Sequence, residues 1–432
     1  MPRRLPRPKL AIERFTLDNG LRVVLNPDRS APVVGIAVYY DVGFRSEPEG
    51  RTGFAHLFEH LMFQGSAHLE KGEADRLIEG NGGNMNGSTH PDFTVYISQL
   101  PSTALDLGLF LEADRMSGVR LTEDNLRNQI DVVKEEINVN VNNQPYGGFP
   151  WIDLPPVMFT TFNNAHNGYG SFVDLEAATV TDATDFFNRY YAPGNAVLAV
   201  AGDLDTDATR ELVERHFGAI GRRPVPPLPD LHEPVPKEER RGRKVDRLAP
   251  MPATAVAYRL PDPIKEVPEF LSSVVLAEVM AGGEASRLYQ RLVKVERLAA
   301  DVGAAVGAFG DPYEMRDPTI LQFLMWHPGV AADDVLVVID EEIDRLGSTL
   351  TEAEVGRVVT GMVSGHLRHL DNVLQRAMEI GMLEQQRNRA EWVNELPGLL
   401  AETKAASVVA VADRWLRGTG RAVLEVVPAG EA

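Results

Sequence analysis

Along the first forty positions, apolar and polar residues alternate with the two-residue period of β-strands. Glu13 to Leu25 reads as two strands folded at Asn19-Gly20, a dipeptide whose backbone suits the tight turn of a hairpin. Val33 to Val42 is a further β-rich run, ended by Gly43 and the polar loop from Arg45 to Gly50. The period then changes. Gly53 to Phe63 is dense in apolar residues, holds no proline or β-branched residue, and reads as a helix. A second helix is expected near Ala74 to Glu79. After it, Gly80 to Thr89 is so rich in glycine that composition favours a wide turn over a strand. Phe93 to Ser98 is a strand and Leu105 to Met116 a helix. Leu126 to about Val139 forms a longer helix, opened by Thr122 as N-cap with Asn125 at the third position. Helix and strand alternate on to Val197–Gly202, a short apolar run bounded by Pro193-Gly194 and read as a buried strand. Arg210 to Phe217 is helical.

Gly221 to Arg243 is rich in proline and charge and has no apolar period, the composition of a linker. Beyond it the order of elements recurs in looser form. A strand, Ala253–Tyr258, precedes a long helix, Glu266–Met280, which breaks at Ala281-Gly282-Gly283. Ser286 to Arg297 is helical, and alternating segments run to a strand at Ala422–Val427. The pattern is a diverged duplication of two α+β halves: residues 1–222, a linker over 223–243, and residues 244–432.

Composition narrows the function. A chain of 432 residues exceeds one ordinary core. A formal charge of −19 argues against nucleic acid or an anionic membrane surface as partner. No apolar run approaches the length of a membrane span. The chain has no cysteine, so any metal ligands must be His, Asp or Glu. Met1 to Lys9 is basic, lacks the apolar core of a signal peptide and is broken by prolines, so the cytoplasm is the expected compartment.

The candidate chemistry sits on the first helix. His56 and His60 lie one turn apart on one face, so both imidazoles can reach a single ion, and Glu59 sits at the edge of that face. His-x-x-Glu-His is the inverse of the commoner metalloprotease helix: two ligands and a carboxylate free to take a proton from a water that a metal acidifies. The pentapeptide alone fits equally well two histidines packed on a buried helix. Glutamates inside a helix usually form a solvated face. Glu136, however, is flanked by Val132, Val133 and Ile137 and can belong to a partly buried face, where a carboxylate needs a partner such as a metal. His366 and His369 are three apart on a probable helix with no third ligand evident, which favours packing or surface roles. His90 lies close in sequence to the glycine-rich stretch and is a candidate substrate contact. His68 and His166 have no assignable role. Arg240, Arg241, Arg243 and Lys244 follow Glu238-Glu239 and read as a solvated, charge-balanced segment.

Together, Leu17-Asp18-Asn19-Gly20-Leu21, Gly53 to His60, Gly82-Gly83 with Asn86 and Thr89, Glu135-Glu136, Tyr190-Tyr191-Ala192-Pro193 with Asn195, Gly202-Asp203 and Ser286-Arg287-Leu288-Tyr289 carry a resemblance over nearly the whole chain. They resemble the pitrilysin-type zinc metallopeptidases, family M16, and within it the two-domain subfamily of the mitochondrial processing peptidase beta subunit and its bacterial heterodimeric relatives. The resemblance implies two homologous α/β-roll domains of the LuxS/MPP-like metallohydrolase type. It implies one zinc ion held by His56, His60 and Glu136, with Glu59 as general base and the fourth position left for water and substrate. It also implies that the stretch around Asn84 to Ser88 is an edge strand that holds an extended peptide, with Asn84, Asn86 and Gly87 as contacts. That reverses the turn favoured by composition.

Two departures from the family matter. A glutamate common one heptad before the ligand glutamate is Gln129 here, sharing a helix face with Glu136. An amide there still hydrogen-bonds but does not charge-tune the site, which implies slower or altered activity. In members that act alone, an arginine and a tyrosine seven residues apart stabilise the oxyanion; those positions are Val293 and Ala300. The implied protein is the metal-bearing subunit of a heterodimer, with a related subunit that lacks the metal motif but supplies the arginine–tyrosine pair. It would cleave peptides or leader peptides inside a closed chamber. The alternative is a non-catalytic assembly subunit, against which the intact ligand set argues.

Overall fold

The computed structural model describes residues 6–431; of the basic start, Met1 to Leu5 lie outside the described residues. The Asn19-Gly20 turn joins β1 (Glu13–Thr16) to β2 (Arg22–Pro27) as an antiparallel hairpin. With β3 (Val33–Tyr40), β4 (Asn84–Thr89), β5 (Thr94–Pro101) and β6 (Ala196–Gly202) they form a six-stranded sheet in the order β1-β2-β6-β3-β5-β4. The second half builds a five-stranded sheet from β7 (Arg240–Asp246), β8 (Ala253–Arg259), β9 (Asp301–Val306), β10 (Ile320–Trp326) and β11 (Arg421–Pro428), in the order β7-β11-β8-β10-β9.

The duplication is legible in the topology. With β1 set aside, β2-β6-β3-β5-β4 and β7-β11-β8-β10-β9 are the same path. In each sheet the first pair of that path is parallel and the others are antiparallel. The glycine-rich stretch is the edge strand β4, not a turn, because its backbone pairs with β5 from Asn84 opposite Gln99 to Thr89 opposite Thr94. The segment read as linker is shorter than expected, since its last residues enter β7. Charge hid this strand. β7 is an edge strand, where charged side chains deter further pairing. Arg240 and Lys244 cap the carbonyls of Met158 and Gly147, and Lys244 pairs with Asp153.

Helices α1 (Phe54–Leu61), α2 (Glu73–Gly80), α3 (Leu105–Ser117) and α4 (Glu123–Ile137) belong to the first half. The alternation of β3 shows how its sheet is covered. Val34, Ile36, Val38 and Tyr40 pack with Phe54, Phe58, Leu61 and Leu109 of α1 and α3. Ala37 and Tyr39 point the other way, into a core dominated by helices of the second half, α5 (Val267–Ala281) and α6 (Val373–Arg387) among them. The second sheet reciprocates. Val256 and Phe323 face α5, whereas Ala255, Ala257 and Leu424 face Phe149, Leu154 and Met158 from the first half. Each half therefore covers one face of the other's sheet, which explains why β6 and β8 are buried along their full length. The connecting segment is anchored too: buried Glu233 accepts the backbone N–H groups of Thr160 (2.7 Å) and Thr161 (3.0 Å).

α6 lies on the first sheet through bare backbone. A Cβ on Gly381 would meet the Tyr39 ring at 2.7 Å and the Ala199 Cβ at 3.1 Å. The Tyr39 hydroxyl donates to Met378 O at 2.8 Å. Gly381→Val is therefore expected to wedge the halves apart and lower stability by about 1–3 kcal/mol in urea unfolding. Unchanged stability would show that the helix can slide off the sheet without loss.

Candidate metal centre

α1 starts directly after Gly53, which holds φ at +81°, a conformation that costs other residues about 1–2 kcal/mol. A Cβ at Gly53 would also collide with Tyr169 O at 2.3 Å, so glycine is required twice over. α4 is capped by Thr122, whose hydroxyl accepts the Asn125 N–H. Its buried stripe, Leu126, Ile130, Val133 and Ile137, packs it into the core that holds α1. Glu136 sits at the edge of that stripe and meets the two imidazoles. Val132, beside it, is exposed instead.

Nε2 of His56 and Nε2 of His60 are 3.3 Å apart. Glu136 Oε1 is 3.8 Å from the first and its Oε2 3.3 Å from the second. Among the described residues these three form the one group of His, Asp or Glu side chains with three donor atoms mutually within 4.8 Å. Two imidazole nitrogens and a carboxylate, all converging on one point, fit a divalent cation of borderline softness such as zinc.

The three groups set one another's electrostatics. Burial and the neighbouring His60 push His56 down to about 4. Burial would lower His60 as well, but the Glu136 hydrogen bond and the charges of Glu59 and Glu136 outweigh it and raise the imidazole. The His60 hydrogen bond, opposed by partial burial and helped by His56 and Tyr169, pulls Glu136 down to about 2. His60 and Glu136 thus support each other's charged forms, while His56 is disfavoured from taking a charge beside them.

Glu59 is buried, and burial raises its pKa against the pull of a 2.6 Å hydrogen bond donated by Thr89. A side chain at residue 87 would meet Glu59 Oε1 at 3.0 Å, so the strand is bare where it passes the carboxylate. Asn86, Gly87 and Ser88 line the same cleft, of about 690 Å³, as the two histidines, Glu59 and Glu136; Asn84 is on β4 but not part of its wall. Gln129 is buried on α4 close enough to His60 to help raise its imidazole, and its amide donates to Asn128 Oδ1 at 2.9 Å. His56 Nδ1 is buried without a hydrogen-bond partner, so this imidazole lacks the outer support that metal-bound histidines usually have.

The sequence did not point to Tyr169. Its hydroxyl donates to Glu136 Oε1 at 2.9 Å and its ring stands edge-on to His56, with centroids 5.1 Å apart. Trp151 and, from the second half, Phe309 complete an aromatic wall. His90 links the halves: Nε2 is 3.0 Å from Ser88 Oγ and Nδ1 3.1 Å from Glu314 Oε2. Val293 and Ala300 do not line the cleft. His366 and His369 face Glu379 at 3.1 and 3.7 Å, and His68 pairs with Asp114.

Comparison with known proteins places this geometry in context. Residues 22–146 match the domain described as Insulinase (Peptidase family M16), and residues 177–362 match the Peptidase M16 inactive domain. The zinc protease PqqE of Helicobacter pylori is 26% identical over 94% of this chain and 90% of its own length. The probable mitochondrial-processing peptidase subunit beta of Arabidopsis thaliana is 23% identical over 96% of this chain and 78% of its own. The crystal structure of a protease from Helicobacter pylori superposes with a TM-score of 0.89 at 25% identity, covering 97% of this chain and 100% of that one.

The raised pKa of His60 makes metal uptake pH-dependent. Because His60 is raised and must be neutral to bind, zinc has to displace its proton once the pH falls below that raised value. Glu136 is already ionised down to about 2 and His56 already neutral down to about 4, so neither adds to the effect near neutrality. Zinc affinity measured by chelator competition is expected to fall about tenfold per pH unit on the acid side and to level off on the alkaline side. A flat profile would exclude His60 as a ligand.

Proposed function

The chain belongs to the M16 family of peptidases, and on that premise we propose that it is a zinc-dependent endopeptidase subunit acting on extended peptides. The observation that carries the reading is the convergence of His56, His60 and Glu136 beside a buried, proton-accepting Glu59 and a bare edge strand. When bound, the zinc polarises the scissile carbonyl and acidifies a water.

The chain's own residues do the remainder. β4 offers an unpaired backbone edge, on which a peptide adds as a further strand at Asn86 and Gly87, with Asn84 extending the register. Gly87 lets the substrate backbone pass close to Glu59. The carboxylate takes a proton from the attacking water at the oxygen not bound by Thr89, and returns it to the leaving nitrogen. Its raised pKa suits both tasks. Tyr169 holds Glu136 in place. The substrates are peptides or leader peptides thin enough to enter a chamber closed by a partner, with the cytoplasm as the compartment.

Partner dependence follows from what the cleft lacks. Val293 and Ala300 cannot donate a hydrogen bond from their side chains, and they lie outside the cleft. Losing an oxyanion donor of that kind costs roughly 3–4 kcal/mol, or 10²–10³ in rate. We infer that a related subunit supplies the arginine–tyrosine pair in a heterodimer. One pair of observations favours the second reading, a non-catalytic assembly subunit: Gln129 beside His60, and the unsupported Nδ1 of His56.

Two experiments separate the readings. The purified chain is expected to hold about one zinc per molecule, lost in His60→Ala, whereas Glu59→Gln keeps the metal and loses at least about 10³ of peptide hydrolysis. A chain that folds with no zinc uptake would support the assembly role. Activity on an unstructured peptide is expected to rise about 10²-fold or more when a related subunit bearing the arginine–tyrosine pair is added. Full activity of the chain alone would sink the partner requirement.

A further inference from the structure

The first N–H groups of a helix need acceptors, and α1 opens on Gly53, which has no side chain to offer. Glu47, buried to 1% exposure, supplies them from outside the helix. Its Oε2 accepts the Gly53 N–H at 2.9 Å and its Oε1 the Ala55 N–H at 2.7 Å. A negative charge there also suits the positive end of the helix.

His166 stands behind this carboxylate, with Nε2 3.1 Å from Glu47 Oε2. The same nitrogen is 2.7 Å from Phe44 O, and Nδ1 is 2.8 Å from Phe162 O. The two carbonyls, one on each ring nitrogen, can only accept; Glu47 accepts as well while ionised, a form that its bonds to His166, Ala55 and Gly53 favour against the burial that raises its pKa. Both ring nitrogens must therefore carry protons, and His166 is an imidazolium paired with Glu47 inside the protein. Burial opposes that charge, but the hydrogen bond and charge of Glu47 with the two carbonyls raise the ring's pKa above its ordinary value. The next charged groups, Arg45 and Asp92, are committed to each other at 2.6 Å.

His166 also begins the segment that ends in Tyr169. That segment lies directly on the start of α1: a Cβ on Gly170 would meet the Thr52 carbonyl carbon at 2.2 Å, and Thr52 donates to Asp174. An ordinary serine or aspartate N-cap would have closed the helix locally. The cap used here ties the helix start to the Tyr169 segment instead.

We propose that Glu47 and His166 are a positioning pair for the metal centre. They fix the helix that carries His56 and His60 against the segment whose tyrosine holds Glu136. The pair touches none of the three ligands and acts through the two backbones it joins. The inference rests on the metallopeptidase reading above.

The test uses the full chain and zinc alone. Nitrogen NMR of the parent at neutral pH is expected to show both His166 ring nitrogens protonated. Glu47→Gln and His166→Gln are expected to weaken zinc binding roughly tenfold in chelator competition while the circular dichroism spectrum is kept. Glu47→Asp, which retains the charge, should recover part of the loss. A neutral His166 in the parent overturns the proposal, as does zinc affinity in both glutamine variants equal to that of the parent. Should either variant fail to fold, the ring signature of the parent decides. A parent that takes up no zinc overturns the metal reading itself, a different result from equal binding by parent and variants.

Discussion

The packing of α4 against α1 is the constraint on which the molecule turns. Two imidazoles and a carboxylate meet within 3.3 to 3.8 Å of one another. At that spacing the charge state of each group depends on the other two. Burial and His60 push His56 down, Glu136 and Glu59 raise His60 against its burial, and the His60 hydrogen bond pulls Glu136 down. The neighbourhood is shaped around the cluster. Gly53 and Gly170 let two backbones touch at the start of α1, and Gly87 keeps the edge strand clear of Glu59.

A precise site needs a stiff frame, and the reciprocal covering of the two sheets supplies it. Neither half buries both faces of its own sheet. The first depends on α6 and the second on the stretch from Phe149 to Met158. The halves are also joined at the cleft by polar groups. Buried Arg45 grips Asp92 and donates to Arg316 O and Pro318 O, while Arg316 reaches Asp41 at 2.8 Å. A buried charge network of this kind contributes little net stability but penalises any other arrangement of the groups. The cleft wall that contains Phe309 is thus held in register with the strand that contains Gly87.

What could be read from sequence was what is local. His56, Glu59 and His60 follow from helical period alone, and the Asn19-Gly20 hairpin from turn chemistry. Glu136 needed the resemblance, because a helix face tells nothing of which other helix it will meet. β4 was misjudged on composition: its one glycine, Gly87, answers to the Glu59 side chain, not to strand propensity. β7 was hidden by the charges of an edge strand. Tyr169, Glu47 and His166 gave no signal at all. Their roles arise from contacts across long stretches of chain, Glu47 to His166 and Tyr169 to Glu136, and one sequence holds no record of such pairings.

The cleft's inventory of donors is the last step. A developing oxyanion needs preorganised donors on the side opposite the base. On this wall the second half contributes Phe309, a hydrocarbon. The first half contributes the Asn86 amide and the Trp151 indole, together with hydroxyl and imidazole groups that are already engaged: Tyr169 with Glu136, Thr89 with Glu59, and Ser88 with His90. Redirecting any of the engaged groups would strip support from the metal ligand, the base or the link between the halves. On the proposed reading the engaged groups serve the metal site and the base, and the arginine–tyrosine pair has no counterpart at Val293 and Ala300. The side chains at those two positions cannot donate, which is the reason to look for such a pair on another polypeptide.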